Sequence, residues 1–151
     1  MRKILAVLLF APFFIACEKE IEEPVGKWTP MEWENISYTK VTDTTNGEYY
    51  IVPVEGGDFV FRCKNYGPWL SSLRLLKFDK SMNLTDNQDI YGDDIKNHVS
   101  YINDWCSVLT KGDSLKVTFQ KNDTLPRGLS VTVTAGDVFG YFKFIQESQT
   151  K

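Results

Sequence analysis

The residue types that most often perform catalysis or bind metals are sparse in this chain of 151 residues. His98 is the only histidine, which excludes most histidine-based catalytic triads unless His98 itself serves. No serine lies in a nucleophile-elbow motif, and neither Cys63 nor Cys106 has a second ligand at Cys-x-x-Cys spacing. Paired carboxylates hydrolyse glycosides in other proteins, but a domain of this size rarely builds a cleft deep enough. We therefore expect no enzyme activity, no bound metal and no cofactor.

Four acidic residues cluster around Gly92: Asp86, Asp89, Asp93 and Asp94. Oxygen-rich loops bind calcium in many proteins, but the spacing here matches no EF-hand loop. A solvated acidic loop is the better interpretation.

Aromatic residues make up 14% of the chain, and their flat faces are suited to stacking on sugar rings. A flat surface with two or three exposed aromatic side chains and nearby Asp, Asn or Gln would form a glycan-binding platform. The best candidates for exposure are Trp28, Trp33, Tyr66 and Tyr91. Aromatic side chains also pack in protein cores, so the sequence leaves both roles open.

The N-terminus has the pattern of an export signal. Arg2 and Lys3 precede a short apolar run and the small residue Ala16, which is the order of a signal peptide over residues 1–16. The run is too short to span a bilayer comfortably. Cys17 follows directly, and the sequence FIAC resembles a bacterial lipobox, which implies that Cys17 is acylated. An ordinary signal peptide with a chance cysteine is the alternative.

Residues 17–27 are acidic and predict a solvated tether between the anchor and the folded domain. Acidic residues directly behind the lipidated cysteine resemble the export signal of surface lipoproteins in Bacteroidetes. This resemblance implies an outer-membrane lipoprotein on the cell surface. Removal of residues 1–16 would change the formal charge from -3 to -5. A mildly acidic chain without a basic cluster argues against nucleic-acid binding, which needs grouped Lys and Arg.

The two remaining cysteines have two interpretations. In an oxidising compartment outside the cytoplasm, Cys63 and Cys106 could form a disulfide between strands. The alternative is a pair of small buried thiols that fill the core.

Alternating apolar and polar residues predict several β-strands. Three such runs lie in the stretch 114–146, joined by short turn-forming segments, and they predict a β-meander. Asn46-Gly47 predicts a hairpin turn. Gly56-Gly57 precedes a strand whose Phe59, Phe61 and Cys63 should share one face. With no linker or repeat, residues 28–151 are expected to form one domain.

The stretch between Trp69 and Trp105 is the hardest to interpret. LRLLKF fits a strand, and the following SMNLTDNQDIYGDD is polar and loop-like. Ile95, Val99 and Ile102 have helical spacing, so a short helix is expected before Trp105.

From about Val54 to Gln146 the chain resembles the BACON domain, an immunoglobulin-like β-sandwich found in Bacteroidetes proteins. The resemblance rests on the Gly-Gly turn before an alternating strand, on an Asp-Trp pair, and on a closing FIQ. The residues that carry it are Gly56, Gly57, Phe59, Phe61, Asn65, Trp69, Asp104, Trp105, Asn122, Arg127 and Gln146. It implies an all-β sandwich in which Trp69 and Trp105 are core residues. The interval between these two tryptophans is longer than in the family.

We therefore expect a lipid-anchored, non-catalytic binding lipoprotein, for a glycan or a glycoprotein. BACON domains often lie beside glycan-degrading enzymes, although sugar binding is not general in the family. The alternative function is a structural spacer or accessory protein whose partner is another envelope protein.

Overall fold

The structure, a computed structural model, describes residues 28–34 and 37–149. The predicted signal peptide, Cys17 and the acidic tether lie outside these residues. No helix within the described part of the chain is long and apolar enough to cross a membrane.

Within the described residues, ten strands form two sheets that pack face to face. In spatial order, the six-stranded sheet contains β1 (Lys40–Asp43), β2 (Gly47–Val52), β10 (Val138–Gln146), β9 (Arg127–Ala135), β4 (Trp69–Phe78) and β5 (Leu84–Tyr91). The four-stranded sheet contains β3 (Gly57–Arg62), β8 (Ser114–Phe119), β7 (Cys106–Lys111) and β6 (Ser100–Ile102). All neighbouring strands are antiparallel except β2 and β10. The predicted all-β sandwich is confirmed.

The core lies between the sheets because each strand alternates apolar and polar residues. Phe59 and Phe61 of β3 point inward, whereas Val60 and Arg62 are exposed, as the alternation predicted. From the other sheet, Phe144 of β10 lies 5.3 Å from Phe59 between ring centroids. Aromatic pairs of this kind add packing energy beyond the buried area.

The predicted hairpin at Asn46-Gly47 is confirmed. β1 and β2 pair antiparallel with Asp43 opposite Gly47, and Gly47 has a φ of 70°. The side chain of Asp43 accepts hydrogen bonds from the backbone N–H groups of Thr45 and Asn46, which fixes the turn.

The predicted meander is wrong in its first strand. β9 and β10 form a hairpin, but β8 pairs with β3 and β7 in the other sheet. The connection from Gln120 to Pro126 therefore crosses from one sheet to the other. Each strand has the expected alternation, but the pattern in a single strand does not reveal which partner it pairs with.

The stretch before Trp105 also differs from the prediction. Leu84–Tyr91, predicted to be a loop, forms the edge strand β5, in which Ile90 is the one buried residue. The expected helix is absent from the described residues there; a 3-10 turn spans Gly92–Asp94, and Asn97 and His98 have positive φ values that end any helix. An edge strand exposed on both faces lacks the apolar alternation that identifies most strands.

A candidate binding face on the six-stranded sheet

The outer face of the six-stranded sheet, away from the core, carries four exposed aromatic residues. Trp69 is 41% exposed, Tyr91 67%, Phe139 47% and Tyr141 74%. We call these four residues the aromatic face. Large apolar groups exposed together on one surface commonly mark an interaction site.

A β-bulge puts Trp69 on this face. The register between β4 and β9 shifts between Leu70 and Ser72, so that Trp69 and Ser72 both lie opposite outward-facing residues of β9. Leu70 and Leu73 then both enter the core. The predicted core position of Trp69 is therefore wrong, because the extra residue of the bulge reverses the alternation.

Strand register sets the spacing of the aromatic face. Trp69 and Phe139 are both opposite Thr134, which puts them two strands, or roughly 10 Å, apart. Tyr91 and Tyr141 are at the ends of a second row and lie three strands, or roughly 14 Å, apart. The Phe139 and Tyr141 rings are nearly parallel, with centroids 6.4 Å apart.

Small hydroxyl side chains lie between the aromatic rings. Thr132 and Ser72 lie between Tyr141 and Tyr91 in the second row, and Ser130 occupies the next row. These three hydroxyl groups make no hydrogen bond with any of the residues that the structure describes, and all three residues are partly accessible. They are therefore available to hydrogen-bond a ligand lying across the rings.

Charged groups flank this surface. Next to Ser130, Arg74 of β4 forms two hydrogen bonds with Asp89 of β5. On the other side, Lys143 donates a hydrogen bond of 2.6 Å to the backbone oxygen of Asn46. Burial lowers the pKa of Lys143. The face thus combines aromatic, hydroxyl and charged groups.

The residues predicted for glycan binding do not come together on this face. Only Tyr91 belongs to it. Trp33 is partly buried and packs edge-on against Phe142 at 4.8 Å. The Tyr66 hydroxyl donates to the Thr29 oxygen at 2.8 Å, and Trp28 is 63% exposed on the N-terminal segment. Sequence reasoning missed Phe139 and Tyr141, although their alternation with Phe142 and Phe144 already assigned them to the opposite face.

The acidic residues around Gly92 are partly engaged elsewhere. Asp86 forms an ion pair of 2.9 Å with Lys77, and Asp89 pairs with Arg74. Among the described residues, no group of three His, Cys, Asp or Glu side chains is arranged to hold a metal ion.

Cys63 and Cys106 are two free, buried thiols. Cys63 follows β3 beside the β7–β8 turn, where its N–H donates a hydrogen bond to the backbone oxygen of Asp113. Cys106 begins β7 opposite Phe119. They lie at opposite ends of the four-stranded sheet, separated by roughly 17 Å along the strands. A disulfide needs Cα atoms within about 7 Å, so the candidate disulfide does not form in this fold.

Comparison with known proteins finds a likeness among the solved structures. No protein-family model matches the chain, and no curated protein matches it. The structure is similar to the NMR structure of a protein from Bacteroides thetaiotaomicron, with a TM-score of 0.58 and 28% sequence identity. The match covers 87% of this chain and 98% of that chain. This likeness supports the sandwich fold over nearly the whole domain.

Proposed function

We propose that this chain is a lipid-anchored, non-catalytic lipoprotein of the bacterial outer-membrane surface that binds glycans through the aromatic face. The proposal rests on one observation. Hydroxyl groups that make no hydrogen bond with the described residues lie between the rings of the aromatic face. Sugar rings present C–H groups on their flat sides and hydroxyl groups at their edges, so they match this alternation of aromatic and hydroxyl side chains.

The other support comes from the sequence and the comparison. The lipobox-like FIAC motif and the acidic residues after Cys17 support an anchored, surface-displayed protein. The resemblance to BACON domains and the likeness to a Bacteroides protein both support an origin in Bacteroidetes. The hollow on this face, between Ser72, Ser130 and Thr132, has a volume of about 210 Å³, which is smaller than most small-molecule sites and supports surface binding rather than catalysis.

The spacing of the rings favours an oligosaccharide over a monosaccharide. The two rows span roughly 10 and 14 Å, which is more than one sugar ring covers. A chain that contacts two rings at once gains affinity from both contacts.

A glycan-array screen of the soluble chain, residues 18–151, tests this proposal. Trp69→Ala and Tyr141→Ala should each weaken binding roughly tenfold or more, because exposed aromatic anchors commonly dominate binding energy. Ile102→Ala removes a side chain that is 79% exposed on the outer face of the four-stranded sheet and serves as the control. Equal loss in the control, or no binding of any glycan by the folded protein, would contradict the proposal.

A second candidate function is an accessory protein that binds another envelope protein. Its support is three exposed apolar residues on the outer face of the four-stranded sheet: Val60, Ile102 and Leu109 are 40%, 79% and 43% exposed. A photo-crosslinking residue at position 102, with position 139 for comparison, tests it in cells. A specific adduct from position 102 alone would favour this function.

A further inference from the structure

A groove lies on the core side of β4, opposite the aromatic face. It has a volume of about 370 Å³. The β4–β5 hairpin forms one side, and the β6–β7 and β8–β9 connections form the other. Its wall includes Leu75, Gln88, Trp105, Leu125, Pro126 and Arg127. Leu75 packs against the core, whereas its neighbour Arg74 belongs to the aromatic-face side. The volume is within the range of small-molecule sites.

The wall of this groove is mainly apolar. Trp105 and Leu75 are partly buried at the edge of the core. Leu125 is 47% exposed, on the connection that crosses between the sheets. An apolar ligand would cover this surface and release the water that contacts it.

Arg127 supplies a positive charge to the groove. Its Nε donates to the Gln146 side chain at 2.9 Å, and its Nη2 donates to the backbone oxygens of Gln120 and Lys121 at 2.9 and 3.1 Å. Its guanidinium lies 4.7 Å from the centre of the Trp105 ring. The fixed hydrogen bonds hold the group in one place.

This charge has no acidic partner in the described part of the chain. All of its hydrogen-bond partners there are uncharged, and Nη1 has none. Arg127 is partly buried, and burial lowers the pKa of its guanidinium. A partly buried cation beside an apolar wall is stabilised most by an anion that brings its own apolar surface.

We propose that this groove binds a small amphiphilic carboxylate, with the carboxylate at Arg127 and the apolar part against Leu75, Trp105 and Leu125. This second site goes beyond glycan binding and is independent of it. Aliphatic and aromatic acids share the required chemistry, and two probes, octanoate and 4-phenylbutyrate, distinguish them.

The test is an NMR titration of the isotope-labelled soluble chain, residues 18–151. The similar Bacteroides protein, matched over 98% of its own chain, was determined by NMR and is therefore folded in solution over this extent. Saturable shifts are expected at Gln88, Leu125, Arg127 and the Trp105 indole N–H. Neutral 1-octanol should bind about tenfold more weakly than octanoate, because it lacks the charge-assisted hydrogen bond.

Two variants complete the experiment without removing Arg127, whose loss would disturb Gln146. Gln88→Trp places a ring in the groove and should abolish the shifts. Leu84→Trp adds the same ring on the same strand outside the groove and should leave binding unchanged. The proposal would be overturned if octanol bound as tightly as octanoate, if the shifts did not saturate, or if the shifts persisted in Gln88→Trp.

Discussion

Gln146 is completely buried, yet its amide group has several partners at the end of the sandwich. Its Nε2 lies within 3.2 Å of the backbone oxygens of Pro53, Val54 and Gln120, and its Oε1 accepts a hydrogen bond from Arg127. These contacts join β10, the connection after β2 and the connection after β8. The residue that closes the FIQ motif therefore has a structural role here.

Replacing this amide is expected to be costly. Gln146→Leu would leave three backbone oxygens and the Arg127 guanidinium without this partner, and we expect a loss of about 3 kcal/mol in the free energy of unfolding. Urea unfolding followed by circular dichroism measures it. Gln149→Leu, an exposed change three residues later, is the control and should have an effect below about 0.5 kcal/mol. Equal stability of the two variants would contradict this account.

Cys106 should be unreactive while the protein is folded. Burial raises the pKa of its thiol from the ordinary 9.0 to about 12. At pH 8 the folded protein therefore holds about a thousandfold less thiolate at this position than an unperturbed thiol would. Iodoacetamide labelling with peptide mapping should show slow alkylation of Cys106 in native protein and fast alkylation in urea.

The same shift has a defined effect on stability. The pKa of the thiol is higher in the folded state than in the unfolded state, so the neutral form is favoured by folding. The resulting contribution to the free energy of unfolding is fully present below pH 9 and is lost as the pH rises toward 12. Rapid alkylation of native Cys106 at pH 8 would contradict the buried position.

At the level of elements, the Gly56-Gly57 turn determines how the chain passes from one sheet to the other. Gly56 has a φ of 82°, and a Cβ atom there would lie 2.2 Å from the backbone oxygen of Phe119. Gly47 has a similar φ of 70° but open space around it. Alanine substitutions at the two glycines therefore separate the free-energy cost of the backbone conformation from the cost of a steric clash.

Gly56→Ala should lower the free energy of unfolding by about 3 kcal/mol, and Gly47→Ala by only about 1 kcal/mol. The alanine at position 56 adds a clash with an immobile backbone atom to the conformational strain, whereas the one at position 47 adds strain alone. Parallel urea titrations of the two variants measure the difference. Similar costs for both would show that β8 does not approach this turn as closely as described.

The strands with one buried face could be predicted from the sequence, and those without it could not. β3 and β9 alternate clearly and were expected, whereas β5 has one buried residue and was interpreted as a loop. Register and pairing depend on contacts between distant segments, so local periodicity could not assign β8 to its sheet. The bulge in β4 similarly concealed the exposure of Trp69, whereas the outward positions of Phe139 and Tyr141 follow from the regular alternation of β10.

Across the whole molecule, one aromatic cluster joins the two sheets. Phe61 of β3 lies 4.5 Å from Phe142 and 5.9 Å from Phe144 of β10, between ring centroids, and it also contacts Tyr50 of β2. Because these contacts cross between the layers, neither sheet can bury its apolar face without the other. We therefore expect the domain to unfold as a single cooperative unit.

Phe61→Ala tests whether the two sheets unfold together, and the same substitution at an exposed phenylalanine is the control. Phe61 has no exposed surface, so its truncation should lower the free energy of unfolding by about 3–5 kcal/mol. Phe139→Ala removes the same ring from the aromatic face, where it is 47% exposed, and should cost less than about 1 kcal/mol. Tryptophan fluorescence and far-ultraviolet circular dichroism should report one shared midpoint for each variant, because Trp33 and Trp105 both pack against the common core. Two separate midpoints in Phe61→Ala would mean that the sheets are stable independently, and the aromatic face would then belong to a unit that needs no partner layer.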